Sequence, residues 1–295
     1  MPDGGAAIRT RRPIAVINTG SGGWNASAAG QMKAIFARAG WPDAEVISVP
    51  PARVDAALKR AVAVADLVVA FGGDGTLRSA AARCSEAGKL LVPLPGGTMN
   101  MLPHALFGAG RWQDVLTNTL ADPWVRDVSG GRVGDHLFFC AAVFGAPSLW
   151  ADAREALRRA DVVGATRCAL RAARRTAREP LRYRLGDRMS GTAQAIAVLC
   201  PLVSRAMAED ELSLEAAAVE PIAGGALFRL AFHSVFDDWR NDPSVSLAKV
   251  THIEVNGRGR IPAILDGEKV RVARTVAVDF VPRAFRVLIP RGPAP

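Results

Sequence analysis

Over the first 120 residues the apolar positions follow two alternating rhythms. Residues 13–17, Pro-Ile-Ala-Val-Ile, form a short continuous apolar run that predicts a buried strand. Residues 26–39 have helical character and stop at Gly40. The alternation continues with strands predicted at 45–49, 67–71 and 90–92 and helices over 54–65 and 77–87. Strands alternating with helices imply a parallel sheet wrapped on both faces. In such a sheet the loops at the carboxyl ends of the strands hold the ligand.

After Trp124 the rhythm changes. Short β-like runs occupy 124–128, 136–143, 193–199, 226–232, 250–255, 276–281 and 285–289, many of them separated by Gly, Pro and Asp. This predicts a mostly antiparallel β domain. One helical insertion, roughly 149–178, interrupts it. The boundary is expected at Asp122-Pro123, giving an α/β domain over 9–122 and a β-rich domain over 123–290. A length of 295 residues and a hydrophobic content of 49% suit two ordinary domains or one large one.

Composition narrows the setting more than the chemistry. The net charge of +9 reads either as solubility or as a surface that meets anionic lipid or nucleic acid. Cys84, Cys140, Cys168 and Cys200 are far apart and form no C-x-x-C pair, which argues against zinc and disulfide frameworks and fits a reducing cytoplasm. No signal-peptide core follows the N-terminal charges, and no run of 18 apolar residues predicts a membrane span. His104, His136, His233 and His252 show no metal-ligand spacing and read as structural or surface residues, with His104 near enough to Asn100 in sequence to approach a ligand there.

Three loops fall at the carboxyl ends of predicted strands: Asn18-Thr19-Gly20-Ser21-Gly22-Gly23, Gly72-Gly73-Asp74-Gly75-Thr76, and Pro95-Gly96-Gly97-Thr98-Met99-Asn100. Each combines glycines with a small hydroxyl or amide side chain, the composition that cradles phosphate with backbone N–H, Ser and Thr groups. One glycine loop is ordinarily a turn; three on one sheet edge point to a phosphate-bearing ligand. The P-loop pattern and the G-x-G-x-x-G fingerprint are both absent. An acid inside such a loop would by itself repel phosphate, so Asp74 suggests a bridging Mg²⁺ or a carboxylate that takes a proton from an attacking hydroxyl.

These loops resemble those of the diacylglycerol kinase catalytic domain, shared with sphingosine kinases and bacterial lipid kinases within a superfamily that includes the NAD kinases. The matching residues are Asn18-Thr19-Gly20-Ser21-Gly22, Gly72 to Thr76, Gly97-Thr98-Met99-Asn100 and, near the C-terminus, Asp266-Gly267-Glu268. The tail Val281-Pro282-Arg283-Ala284-Phe285-Arg286 has the family's closing form. The resemblance implies ATP-dependent phosphorylation of a hydroxyl, with Mg²⁺, in a cleft between the nucleotide-binding α/β domain and the β-rich acceptor domain. It implies nucleotide contacts from Asn18, Ser21, Gly22, Gly72, Gly73, Gly75, Thr76, Gly97, Thr98 and Asn100. Asp74 would orient the phosphates through Mg²⁺ or act on the acceptor hydroxyl, Glu268 would be the base, and Asp266 would support Glu268 or the metal. By the residues alone, Asp266-Gly267 is also a common hairpin turn pair.

The acceptor implied is a lipid alcohol such as diacylglycerol, in a cytoplasmic protein with peripheral contact at the inner membrane face. An NAD-kinase-like enzyme with a soluble acceptor, or a catalytically weak nucleotide- or lipid-binding member, are the alternatives. Lipid kinases usually follow G-G-D-G-T with a hydrophobic residue and Asn-Glu, where this chain has Leu77-Arg78-Ser79; they continue G-T-x-N with Asp, where this chain has Met101. Within the insertion, Arg167, Arg171, Arg174 and Arg178 recur at spacings that form one basic helix stripe, read either as a solvated face or as a contact with anionic lipid. Low aromatic content, 6%, gives little support for nucleic-acid stacking.

Overall fold

The computed structural model describes residues 12–145, 180–187, 189–219 and 239–292. The expected insertion at 149–178 with its arginine stripe, the strand expected at 226–232, Cys168 and His233 lie outside the described residues. The chain divides into two compact units, residues 1–130 with 282–295, and residues 131–281. The division differs from the expected one in two places. Strand β5 (Pro123–Val133) runs on past Asp122-Pro123, and the C-terminal segment returns to the first unit.

The first unit is α/β. Strands β1 (Pro13–Asn18), β2 (Glu45–Val49), β3 (Leu67–Gly72) and β4 (Leu90–Pro95) form a parallel sheet in the order β2-β1-β3-β4. Residues 286–287 of the last strand, β16 (Thr275–Pro290), pair parallel with Leu90 and Leu91 outside β4. Four helices connect and cover it: α1 (Ala28–Arg38), α2 (Val54–Val64), α3 (Asp74–Ala87) and, after α4 (Met101–Phe107), α5 (Trp112–Ala121).

Successive residues of a strand face opposite sides, and both faces here are apolar. Ala15, Ile17, Val69 and Val92 bury one face with Met32, Ile35 and Phe36 of α1 and Leu116 and Leu120 of α5. The opposite face carries Ile14, Val16, Val68 and Leu91, all fully buried, on the side of α2 and α3. Two covered faces explain the continuous apolar runs in place of alternation. Under the glycine loops, the Phe71 ring meets Trp112 edge-on at 5.6 Å.

Helix α3 starts at Asp74, three residues earlier than the Ala-rich run suggested, with Gly73 as its N-cap. It ends at Gly88, whose φ of +64° is the left-handed C-cap conformation. The Arg286 guanidinium donates to the Gly88 carbonyl at 2.6 Å, placing a cation at the helix C-terminus.

The second unit is antiparallel β. One sheet has the order β12-β11-β10-β7-β14-β15, with β7 (Ala141–Gly145), β10 (Ala195–Leu199), β11 (Leu214–Val219), β12 (Val245–Val250), β14 (Ile261–Leu265) and β15 (Glu268–Val272). Strand β13 (His252–Asn256) lies between β8 (Leu181–Leu185), which pairs with β9 (Met189–Ala193), and residues 275–279 of β16. A hairpin joins residues 131–133 of β5 to β6 (His136–Phe138). Phe138, Phe144, Ile196, Val198, Ile253, Val255 and Leu265 are the centre of the core. Cys140 and Cys200 lie buried, and burial, with the negative charge of Asp266, pushes the Cys200 thiol well up.

One buried charge holds the outer part of this sheet. Glu215 of β11 accepts from the Arg240 guanidinium at 2.6 and 2.8 Å and from the Ser204 hydroxyl. Burial alone would raise its carboxyl. The guanidinium and the hydroxyl outweigh burial and hold it below the usual carboxylate range. Arg240 thus anchors the short helical turn Trp239–Asn241 against the sheet.

Candidate functional site

The three glycine loops of the first unit meet. Asn18 ends β1, where its side chain both shapes its own loop and reaches the next: Oδ1 accepts the Gly20 N–H at 3.0 Å and Nδ2 donates to the Thr76 hydroxyl at 2.9 Å. The Ser21 hydroxyl donates to the Asn18 carbonyl at 2.6 Å, so it serves the turn. The Gly96 N–H donates to the Gly72 carbonyl at 3.0 Å, and the Gly23 N–H to the Gly96 carbonyl at 2.9 Å. Each loop is therefore bonded to both others.

Asp74 makes the tightest of these links. Its Oδ1 accepts the Met101 N–H at 2.6 Å and its Oδ2 the Asn100 N–H at 3.1 Å. The first N–H groups of a helix have no intrahelical acceptor, and here the acid at the start of α3 satisfies those at the start of α4. The contact at 101 is made by the backbone, so Met101 in place of the family's Asp leaves it intact. Asn100 sits at φ +50° and closes its own loop, accepting the Gly97 N–H at 2.7 Å and donating to the Gly97 carbonyl at 2.9 Å. Thr98 and Met99 are exposed at the loop tip.

Gly97 is constrained by its protein neighbours. A Cβ there would stand 2.6 Å from Gly73 Cα, a backbone atom that cannot step aside. Its absence of a side chain lets two loops touch. Gly97→Val is expected to lower the melting temperature and to weaken nucleotide binding together. Calorimetric unfolding and ATP titration of one protein batch check this, and an unchanged melting temperature would contradict it.

The two remaining candidates, Asp266 and Glu268, belong to the β14–β15 hairpin of the second unit. Asp266 at φ +46° and Gly267 at φ +84° are its two turn residues, the consecutive positive φ values of a type I′ turn. Asp266 is 4% exposed, and its carboxylate accepts N–H groups from Phe139 at 2.8 Å, Cys140 at 2.8 Å and Ala141 at 2.9 Å. These bonds interrupt the expected 136–143 strand, which becomes β6 and β7. Glu268 opens β15 with its side chain exposed. Asp266 thus fixes the turn that presents Glu268.

Among the described residues no group of three or more His, Cys, Asp or Glu side chains could hold a metal. Asp74 is the only acid in the three loops, and each of its oxygens accepts one backbone N–H, which leaves further lone pairs. Mg²⁺ takes one or two carboxylates and completes its shell with phosphate oxygens and water. The loops therefore fit a metal that arrives with a triphosphate. His104 is exposed on α4, and His252 pairs with Asp279 at 2.6 Å on the β surface.

Residues 12–133 match the diacylglycerol kinase catalytic domain. The match takes in all three loops and the strands beneath them. No curated protein matches the chain. Among solved structures, a diacylglycerol kinase from Bacillus anthracis str. Sterne superposes with a TM-score of 0.70 at 13% identity, covering 96% of this chain and 97% of that one. A candidate diacylglycerol kinase from the same organism gives a TM-score of 0.72 at 16% identity over the same shares. At these identities the superposition shows a common fold. The sequence reading missed the backbone partners, namely the N–H groups of Gly23, Gly96, Met101 and Phe139 to Ala141. No side-chain signal marks an amide.

Proposed function

We propose that the protein is an ATP-dependent lipid kinase that transfers the terminal phosphate of ATP to a lipid hydroxyl, diacylglycerol being the first acceptor to test. The observation that carries this reading is the mutual bonding of the three glycine loops at the carboxyl ends of β1, β3 and β4, with Asp74 joining the starts of α3 and α4. Backbone N–H groups at the start of α3, with no intrahelical acceptor, suit an anion. The nucleotide contacts are assigned to Asn18, Ser21, Gly22, Gly72, Gly73, Gly75, Thr76, Gly97, Thr98 and Asn100.

Phosphoryl transfer leaves the protein to position groups and balance charge. Bound Mg²⁺ would neutralise charge on the phosphates. Asp74 holds the loops in register and faces that metal. Glu268 is the proposed base, taking the proton of the acceptor hydroxyl as its oxygen attacks phosphorus. Asp266 keeps the Glu268 turn in place. Arg167, Arg171, Arg174 and Arg178 are the proposed contact with anionic lipid at the inner membrane face, where a lipid acceptor would be met.

Labelled ATP with a panel of diacylglycerol, a sphingoid base and NAD tests the reading. Labelled lipid supports it; labelled NADP alone would replace it with a soluble-acceptor kinase. Glu268→Gln is expected to lower kcat at least about a hundredfold, the low end for a general base, with ATP affinity unchanged. Normal turnover in that variant would remove Glu268 from the chemistry.

A further inference from the structure

Among the described residues Arg78 has no ion-pair partner. It is half-buried on α3, one turn after Asp74, and its Nη1 is sealed from solvent with no hydrogen-bond acceptor. No described ion pair includes it. Its neighbour Arg83 shows what the same helix does with an arginine that has a structural job: the Arg83 guanidinium grips Asp55 at 2.6 and 2.9 Å. A guanidinium nitrogen withdrawn from water with nothing to donate to costs free energy. An arginine kept at that cost in a family position usually held by Asn asks for an anion that comes and goes.

The geometry says where that anion sits. At 100° per residue, positions 74 and 78 share one flank of α3, with Cβ atoms about 5–6 Å apart. Asp74 identifies that flank as the one meeting the start of α4, through its bonds to Asn100 and Met101. Arg83 falls on the opposite flank, toward α2. Long side chains on a helix lean toward its N-terminus, so the reach of Arg78 is back toward Gly72, Gly73 and Asp74. The acid best placed to neutralise it is already bonded to two backbone N–H groups and makes no ion pair with it. The next residue adds no competing charge, since the Ser79 hydroxyl donates to the Gly75 carbonyl at 2.9 Å.

We propose that Arg78 binds a phosphate group of the nucleotide, as a positioning residue that this chain carries in place of the family's Asn. The inference rests on the nucleotide-kinase reading above. A guanidinium offers a phosphate two parallel N–H donors, while the unpaired N–H groups of the first turn of α3 supply the rest of the cradle. The contact forms only when phosphate is present, as the guanidinium turns out of its sealed position to meet it.

Titration calorimetry of ATP, ADP and adenosine against the full-length protein, Arg78→Gln and Arg78→Lys tests it. Arg78→Gln is expected to weaken ATP and ADP at least about tenfold, the size of a lost charge-assisted hydrogen bond. Adenosine affinity should stay within about twofold, since adenosine carries no phosphate to meet the cation. Lysine should recover part of the loss, because it keeps the charge but not the fork. The melting temperature of unliganded Arg78→Gln should equal or exceed that of the wild type. ATP affinity unchanged in Arg78→Gln overturns the inference and leaves the kinase reading standing. An equal loss for adenosine and ATP, or a lowered melting temperature without ligand, overturns it as well by making Arg78 structural. A wild-type protein that binds ATP in this manner but labels no lipid supports Arg78 while removing the lipid acceptor. One that binds no ATP removes both.

Discussion

Asp74→Asn is expected to lower turnover at least about a hundredfold and to destabilise the fold by about 1–3 kcal/mol, the cost of leaving buried donors unsatisfied. The two effects have one origin. Each Asp74 oxygen accepts a backbone N–H at the start of α4. Asparagine keeps one acceptor and turns an NH₂ toward the other N–H, so donor meets donor. The loop bearing Gly97 and Asn100 then loses its anchor to α3. Steady-state kinetics and thermal unfolding on one preparation separate the roles. Wild-type stability with lost turnover would confine Asp74 to the chemistry. Lost stability with normal turnover would confine it to the scaffold.

The second large effect is expected at Asp266. Three backbone N–H groups, from Phe139, Cys140 and Ala141, converge on its buried carboxylate. Asp266→Ala strands all three, and the expected loss is about 3–5 kcal/mol, comparable with breaking a buried charged pair. Alanine also tolerates the turn's φ of +46° less well than Asp does. Asp266→Asn, which keeps the turn conformation and one acceptor oxygen, should lose less than half as much. Urea denaturation measures both. If Asp266→Ala unfolds within about 0.5 kcal/mol of the wild type, the range of an ordinary surface change, the carboxylate does not hold the hairpin. Turnover measured where the variant remains folded should still fall, because the turn carrying Glu268 is released.

The α/β half was legible because its signal is local. Residues 67–72 are apolar throughout since both faces of β3 are covered, and the glycine loop behind them announces a strand-to-helix turn. Helices α4 and α5 were missed. Helix α4 is seven residues long and contains Pro103, and its start is set by Asp74 from another loop. The β half was less legible. Strand β11, Leu-Glu-Ala-Ala-Ala-Val, reads as helix by propensity, yet every residue in it is buried between neighbouring strands. Its glutamate is tolerated because Arg240 lies against it. At the site, Asp266 carried two readings, hairpin turn and support for Glu268. Its positive φ is that of the hairpin turn, and its three accepted N–H groups hold that turn in place.

The order in which the chain is made bears on the last strand. Val287 pairs with Leu91 at the edge of β4, and Leu288 is fully buried in the core of the α/β unit. Every other fully packed residue of that core precedes residue 121, with Val125 packed at its margin. A ribosome releases the glycine loops and their helices long before it releases the strand that covers β4. Until then the nascent α/β unit carries an unpaired parallel edge, the kind of surface that recruits other chains. Its completion waits for the whole second unit to be synthesised, so the α/β half would mature last although it is made first.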